Sequence, residues 1–156
     1  MTLTWQAVSG SQLPSALSEH LSDVRRERWQ MPGELWDPRT ILVSDTDGST
    51  IAAALTTSRP YNAYRKIADV VLHPSLHRDD TARRVAFETV LHAVHDDAVG
   101  ARRGDRPSPI VLWFEEHPET APLSDSDRAA LATHGFVRDQ DPVPSIPSTL
   151  PNDARR

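Results

Sequence analysis

The strongest constraint on this chain is the change of hydrophobic period at Pro74. Before it, residues 67–72 are almost all apolar or β-branched, which is typical of a strand covered on both faces of a sheet. After it, apolar residues recur every three or four positions, which predicts an amphipathic helix of about five turns lying across that sheet. Its two apolar rows are Ala82, Ala86, Val90, Ala93 and, beside them, Phe87, Leu91, Val94, Ala98.

A strand, a turn and a helix in this order point the helix N-terminus at the space beyond the strand. Asp79, Asp80 or Thr81 is in position to cap the first helical turn. The free N–H groups of a first turn attract anions, and phosphates bind there in many α/β proteins. The turn after Pro74 is therefore a candidate anion site, although no glycine lies between Gly48 and Gly100 to let a phosphate approach the backbone.

The chain before this unit predicts an edge strand, a helix and a hairpin. Residues 4–8 alternate weakly and favour a strand. Leucines at 13, 17 and 21 and a valine at 24 predict one amphipathic helix that starts at Ser11 or Ser15 and runs to about Arg28. Residues 40–43 and 50–57, joined by an Asp-Gly turn at 45–48, predict a β-hairpin.

The chain after this unit predicts a loop at 100–109, a buried strand at 110–114 and a helix opened by residues 124–127. Gly135 is suited to the position after that helix, and Phe136-Val137 is expected to begin another strand. Four prolines in residues 141–156 favour an extended tail or linker, or at most an edge strand. We therefore expect one domain over residues 1–140, followed by this tail.

Composition excludes several classes of function. A net charge of −5 argues against a general nucleic-acid binder, and no run is long enough to span a membrane. The N-terminus has neither a basic start nor an apolar core for export, so the cytoplasm is the expected location. The chain has no cysteine, which excludes disulfides and thiolate catalysis. His92 and His95, with Asp96, lie on neighbouring helix turns and could bind a metal. Without a third ligand in sight, a solvated helix face is the preferred interpretation, and no metal is expected.

The stretch around Pro74 resembles the acetyl-CoA motif of the GNAT superfamily of N-acetyltransferases. That motif is an apolar strand ending in V-x-P, then (Q/R)-x-x-G-x-(G/A), then a helix. Here Val71-Leu72-His73-Pro74 is followed by His77-Arg78-Asp79-Asp80-Thr81-Ala82, which sets His77 at the Gln/Arg position, Asp80 at the first glycine and Ala82 at the final Gly/Ala. Only Ala82 matches by residue type. The helix followed by Gly135-Phe136 is similar to the family's ending.

The resemblance implies a GNAT-like α/β (α+β) fold with a mixed, mostly antiparallel sheet flanked by helices. It implies transfer of an acetyl group from acetyl-CoA to an amine of a small molecule or peptide. Acetyl-CoA would be held by Val71, Leu72, His73, His77, Arg78, Asp79, Asp80, Thr81 and Ala82. Asp79 and Asp80 bring negative charge to the place meant for an anion, so a self-capped structural turn is the alternative interpretation. An open slot for the cofactor would require the strands around Val71 and Ile110 to separate.

Asp69 is the candidate catalytic base, because GNAT enzymes commonly carry an acidic residue at its distance before the proline. The alternative is a polar residue on a solvated part of the strand. Glu115 and Glu116, at the end of the next predicted strand, are further candidates. Many family members have a tyrosine, which protonates the departing thiolate, four residues before the Gly of G-F, but here that position is Leu131. His134 lies nearby and is interpreted as a helix-end residue.

Two hypotheses follow from these residues. One is a GNAT N-acetyltransferase with Asp69 as base. The other is a GNAT-like binding or structural module without catalysis, favoured by the missing glycines and the missing tyrosine. The opening residues 3–5, the strand end at Pro74 and the proline-rich tail also resemble the N-terminal, non-catalytic half of mycothiol synthase. A sheet edge left open by a missing last strand would favour a homodimer.

Overall fold

The computed structural model describes residues 2–30, 37–58, 64–100 and 111–138. Within these ranges the chain forms one mixed five-stranded sheet in the order β1-β2-β3-β4-β5, antiparallel from β1 to β4 and parallel between β4 and β5. The strands are β1 Thr4–Ser9, β2 Arg39–Ser44, β3 Thr50–Ser58, β4 Tyr64–Leu72 and β5 Val111–Phe114. The predicted fold class is confirmed.

Helices cover both faces of this sheet. They are α1 Ser15–Ser18, α2 Asp23–Trp29, α3 Asp80–Gly100 and α4 Asp125–Thr133. On one face α3 and α4 bury a core that includes Ile41, Val43, Ala52, Ala54, Ile67, Phe87 and Val90; on the other, α1 and α2 bury Leu17, Leu21, Trp29, Ala53, Leu55 and Val71. Successive side chains of a strand point alternately into the two cores. The alanines of β3 are small, so the helices on both faces can pack close to the sheet. No helix in the described ranges is long and apolar enough to cross a membrane.

The predicted hairpin and the rows of the long helix are confirmed. In the turn between β2 and β3, Gly48 donates to the Asp45 carbonyl at 3.0 Å and has φ +83°, a conformation that glycine adopts without strain. Ala86, Phe87 and Val90 of α3 are buried at 2% exposure or less. Both patterns are local, so they could be recognised in the sequence.

A β-bulge interrupts β4 where Asp69 lies. Leu55 pairs with Asp69 and Thr56 with Ile67, so Ala68 is an additional residue in the ladder. A bulge re-aims the side chains that follow it. Asp69 therefore faces the α2 layer, on the same side as Leu55, and is 2% exposed.

The single helix predicted from Ser11 or Ser15 to Arg28 is wrong, because the structure has two short helices there. Ser22 starts α2 as an N-cap, its side chain accepting from the Arg25 N–H at 3.3 Å. Arg26 reaches back to the end of α1, donating to the carbonyls of Ser18 at 3.1 Å and Leu21 at 2.7 Å. These capping groups stabilise the break although the leucine spacing continues across it.

The long helix begins later than directly after Pro74. Pro74–Arg78 forms a 3₁₀ helix, with Pro74 at its start, and Asp79 has extended dihedrals (φ −136°, ψ 101°) that separate it from α3. The Asp79 carboxylate accepts from the N–H groups of Thr81 at 3.0 Å and Ala82 at 3.1 Å. Asp79 is thus the cap among the three predicted candidates.

The strand predicted to begin at Phe136-Val137 is not formed in residues 136–138. Phe136 instead completes the C-terminal cap of α4: its N–H donates to the Leu131 carbonyl and that of Gly135 to the Ala132 carbonyl, both at 3.0 Å. Gly135 has φ +86°, as a Schellman motif requires, and the Phe136 ring packs edge-on against Phe114 at 6.4 Å. The predicted tail at 141–156 lies outside the described residues.

Candidate functional site

The sheet opens between β4 and β5. The two strands pair from Tyr64 with Val111 to Ile67 with Phe114, and a last bond joins the Glu115 N–H to the Ile67 carbonyl at 3.0 Å. Beyond this point β4 continues to Leu72 without pairing to β5, and a cavity of about 490 Å³ lies alongside it. The segment after β5, residues 115–124, forms much of the opposite wall. This separation is what an open cofactor slot requires.

Asp69 lies at the cavity but its carboxylate is already bound. Arg25 donates to it through Nε at 2.9 Å and Nη2 at 3.0 Å, and Trp29 Nε1 donates at 2.9 Å. Arg25 Nη2 also donates to the Val70 carbonyl at 2.5 Å. The side chain of Asp69 is 1% exposed and that of Arg25 16%. In this structure Asp69 fixes α2 onto the bulge of β4.

A second arginine approaches the same carboxylate. Arg28 Nη1 lies 3.6 Å from Asp69 Oδ2, too far for a hydrogen bond, and is buried with no hydrogen-bond partner among the described residues. Arg28 Nη2 donates to the Thr120 hydroxyl at 3.0 Å, and Thr120 lines the cavity. One carboxylate therefore faces two guanidinium groups, which leaves this cluster with a net positive charge.

The first turn of α3 borders the cavity through Arg83 and is closed by Asp79. The carboxylate of Asp79 occupies the N–H groups of Thr81 and Ala82, two of the backbone donors expected to hold a phosphate. Asp80 is exposed as the first residue of the helix. The helix end is thus capped by the chain itself.

Arg83 joins α3 to α4 at the wall of the cavity. It donates to Asp127 through Nε at 3.1 Å and Nη2 at 2.7 Å, and Asp127 completes a capping box with Ser124. Arg83 Nη1 also contacts His77 Nδ1. Partial desolvation of the ring and the positive charge of Arg83 lower the pKa of His77, so its neutral form predominates at neutral pH.

His117 is a cavity residue that the sequence analysis did not single out. Its Nε2 lies 2.8 Å from the carbonyl of Ala68, the bulge residue, and 3.6 Å from Glu115 Oε1. A carbonyl only accepts, so this contact assigns the proton of a neutral ring to Nε2 and leaves Nδ1 unprotonated. No sequence signal identifies this pair, because the contact depends on the bulge. Glu115 lies at the same seam and forms an ion pair with Lys66 at 2.5 Å.

Of the remaining predicted residues, only Leu72 contributes to the cavity lining. Val71 is buried in the α2 layer. His73 caps the 3₁₀ helix by accepting from the Ser75 N–H at 3.1 Å. Arg78 lies at the end of that helix and is exposed. Their roles in binding a cofactor stay predictions.

The alternative candidates from the sequence lie elsewhere. Leu131, at the position of the expected tyrosine, is buried in the core against α3, and His134 is exposed at the end of α4. His92 and His95 are exposed beside Asp96, and the described part of the chain contains no group of three His, Asp or Glu arranged to hold a metal ion.

Comparisons with known proteins identify the fold. No protein-family model and no curated protein sequence matches this chain. Among solved structures, ribosomal-protein-S18-alanine N-acetyltransferase from Escherichia coli aligns over 87% of this chain and 78% of its own, with TM-score 0.55 and 15% identity. An aminoglycoside antibiotic 6'-N-acetyltransferase from Acinetobacter baumannii aligns over 90% and 94%, with TM-score 0.52 and 15% identity. A GNAT-family acetyltransferase from Streptococcus pneumoniae aligns over 87% and 88%, with TM-score 0.50 and 13% identity.

These similarities establish that the chain has the fold of GNAT acetyltransferases. The resemblance noted in the sequence is therefore confirmed at the level of the fold. At 13 to 15% identity, function has to be argued from the site itself.

Proposed function

We propose that this protein is an N-acetyltransferase that transfers an acetyl group from acetyl-CoA to an amine of a small molecule or peptide. The observation that carries the proposal is the separation of β4 from β5 beyond Ile67, with a cavity between them. An extended chain such as the pantetheine arm of CoA fits beside an unpaired strand edge. The cavity also places titratable side chains next to that edge, as proton transfer requires.

The reaction needs a proton acceptor. The amine nitrogen attacks the thioester carbonyl, a C–N bond forms, the C–S bond breaks, the nitrogen loses a proton and the thiolate gains one. Asp69 is the base expected from the sequence, but acting as one would require it to release donors from Arg25 and Trp29. His117 lies at the cavity wall, and its Nδ1 has no hydrogen-bond partner among the residues that the structure describes, so it is the base that the geometry favours.

A specific set of contacts favours a second candidate, a GNAT-fold binding module without catalysis. The Asp79 carboxylate occupies two of the amides expected to hold the pyrophosphate. Arg25 occupies the carbonyl of Val70 on the unpaired part of β4. Leu131 replaces the acid that would protonate the thiolate. Each contact removes one interaction that an acetyl-CoA complex would use.

Calorimetric titration with acetyl-CoA and desulfo-CoA separates the two candidates. Saturable binding is expected if the protein is an acetyltransferase, and no binding at millimolar cofactor would refute that function. Asp79→Asn is an informative variant, because asparagine caps a helix as well as aspartate but carries no charge. If the pyrophosphate lies at this helix end, Asp79→Asn binds acetyl-CoA more tightly, whereas Glu88→Gln, a matched charge removal at a position of α3 that is one third exposed, leaves binding unchanged.

The identity of the base is tested by acetyl transfer to a panel of amines. His117→Gln is expected to lower the rate of acetyl transfer, because glutamine cannot act as a base. Asp69→Asn is expected to lower thermal stability more than His117→Gln does, because it weakens the ion pair with Arg25. A rate that falls only in Asp69→Asn, at unchanged stability, would return the role of base to Asp69.

The cytoplasmic location, the lack of a nucleic-acid partner and a homodimer remain predictions. The net charge of −5 supports the second of these. Size-exclusion chromatography with light scattering tests the third.

A further inference from the structure

Among the residues that the structure describes, the charges around the cavity do not cancel. Both cations and carboxylates line the cavity or lie directly behind its lining. The pKa of His77 is lowered, so this residue adds no charge at neutral pH. The cations are Arg25, Arg28, Arg83 and Lys66, and the carboxylates are Asp69, Asp127 and Glu115. Arg83 is matched by Asp127 and Lys66 by Glu115. The surplus positive charge therefore belongs to Arg25 and Arg28, which share Asp69.

Arg25, one of the two residues that carry the surplus positive charge, has a hydrogen-bond donor available. Arg25 uses Nε and Nη2 for Asp69 and Val70, while its Nη1 has no hydrogen bond to any residue that the structure describes. Arg25 lines the cavity. Arg28 Nη1 lies 3.6 Å from Asp69 Oδ2 and has no hydrogen-bond partner among the described residues. Because Asp69 faces both guanidinium groups, it cannot fully neutralise Arg25. A guanidinium that is 16% exposed and has one free nitrogen is suited to a carboxylate.

The rest of the cavity is suited to an apolar body. Leu72, Phe87, Phe114, Pro122 and Leu123 contribute to its lining. Phe87 and Phe114 are in ring contact at 6.1 Å and belong to the core, so this wall is rigid. A ligand that combines an apolar chain with one carboxylate would satisfy both parts of the cavity.

We propose that this cavity binds a small monocarboxylate with an apolar body, its carboxylate held by Arg25. In terms of the proposed function the ligand is the acceptor, an amine that also carries a carboxylate, and it would share the cavity of about 490 Å³ with the end of the pantetheine arm. That assignment rests on the proposed function, whereas binding of the carboxylate does not. Arg28 acts as a positioning residue, through its effect on the charge balance between Asp69 and Arg25.

A matched pair of probes tests the proposal on the unmodified full chain. Hexanoate and hexanamide have the same apolar chain, but only hexanoate is charged. NMR titration followed on the arginine Nε–H signals is expected to show saturable hexanoate binding that shifts the Arg25 signal, with at least tenfold weaker binding of hexanamide. Equal binding of both would overturn the proposal, since the cavity would then recognise only the chain. Absence of hexanoate binding would overturn it as well.

Arg28→Gln tests the origin of the charge. This variant removes a cation with an unpartnered buried nitrogen, keeps the Arg25–Asp69 pair and is expected to weaken hexanoate binding at least fivefold without changing hexanamide binding. Arg84→Gln, an equal change of net charge at a residue of α3 that does not line the cavity, is expected to bind hexanoate as the parent does. If hexanoate binding weakened equally in both variants, or did not weaken in Arg28→Gln, the carboxylate would not be bound at Arg25 and the proposal would be overturned. Acetyl-CoA titrated in parallel distinguishes failure of this site from failure of the acetyltransferase proposal.

Discussion

Replacing Asp127 with alanine removes the link between the two helices that border the cavity. Asp127 lies in the first turn of α4, and its side chain is 2% exposed. It accepts two hydrogen bonds from Arg83 of α3 at 3.1 and 2.7 Å and one from the Ser124 N–H at 3.0 Å. The truncation leaves Arg83, itself only 15% exposed, as a cation with no matching carboxylate.

The expected loss of folding free energy is large for a single polar substitution. Removing one partner of a buried ion pair costs about 3 to 5 kcal/mol, because the remaining charge stays desolvated. Loss of the capping box adds about 1 kcal/mol to destabilise the start of α4. Water can reach Arg83 in part through the cavity, so we expect a total near the lower end of the sum, about 4 kcal/mol.

Urea denaturation followed by tryptophan fluorescence measures this loss. Glu88→Ala is the matched control: Glu88 pairs with Arg84 on the same helix, but both side chains are about one third exposed, and the expected cost is below about 0.5 kcal/mol. In the double variant Arg83→Met/Asp127→Ala, about half of the loss should be recovered because no charge remains buried alone. A cost for Asp127→Ala equal to that of Glu88→Ala would refute the reasoning.

Three further predictions concern the core, a turn and a titration. Phe87→Ala should lower the free energy of unfolding by about 3 to 5 kcal/mol, measured in urea, since the ring is 2% exposed; a loss below 1 kcal/mol would contradict its place in the core. Gly135→Ala should cost about 1 kcal/mol because of its positive φ, whereas Gly100→Ala, in a helix with open space, should cost nothing. The pKa of His77, measured by NMR, should lie below 6.5. As the pH falls below 6.5, the unfolded chain therefore takes up a proton before the folded chain does, so the free energy of unfolding rises with pH in this range. His77→Gln should reduce this dependence on pH.

Local patterns predicted much of the architecture. The hairpin was recognisable because an Asp-Gly turn needs a positive φ that glycine supplies, and α3 was recognisable because its buried residues repeat with the helical period. The division into α1 and α2 was missed because the leucine spacing continues across Ser22. The capping contact of Ser22 with the Arg25 N–H is seen only in the structure. The strand expected at Phe136 was wrong because that residue completes a helix cap and packs on Phe114.

The candidate site depended more on tertiary contacts. Asp69 was identifiable as an unusual acidic residue in a buried strand, but its two arginine neighbours come from a helix more than forty residues earlier. His117 carries no motif, and its role as a cavity residue follows from the bulge at Ala68.

By itself the sequence determined the hairpin, the buried faces of the long helix and the three candidates for its cap, because these depend on neighbours within a few turns of chain. The structure selected Asp79 as the cap. Only the tertiary structure decided that β4 and β5 part beyond Ile67, that Arg25 and Trp29 bind Asp69, and that one positive charge is left over beside the cavity. The charge balance and the cavity depend on contacts between residues that are distant in sequence, and the spacing of hydrophobic residues along the chain does not predict those contacts.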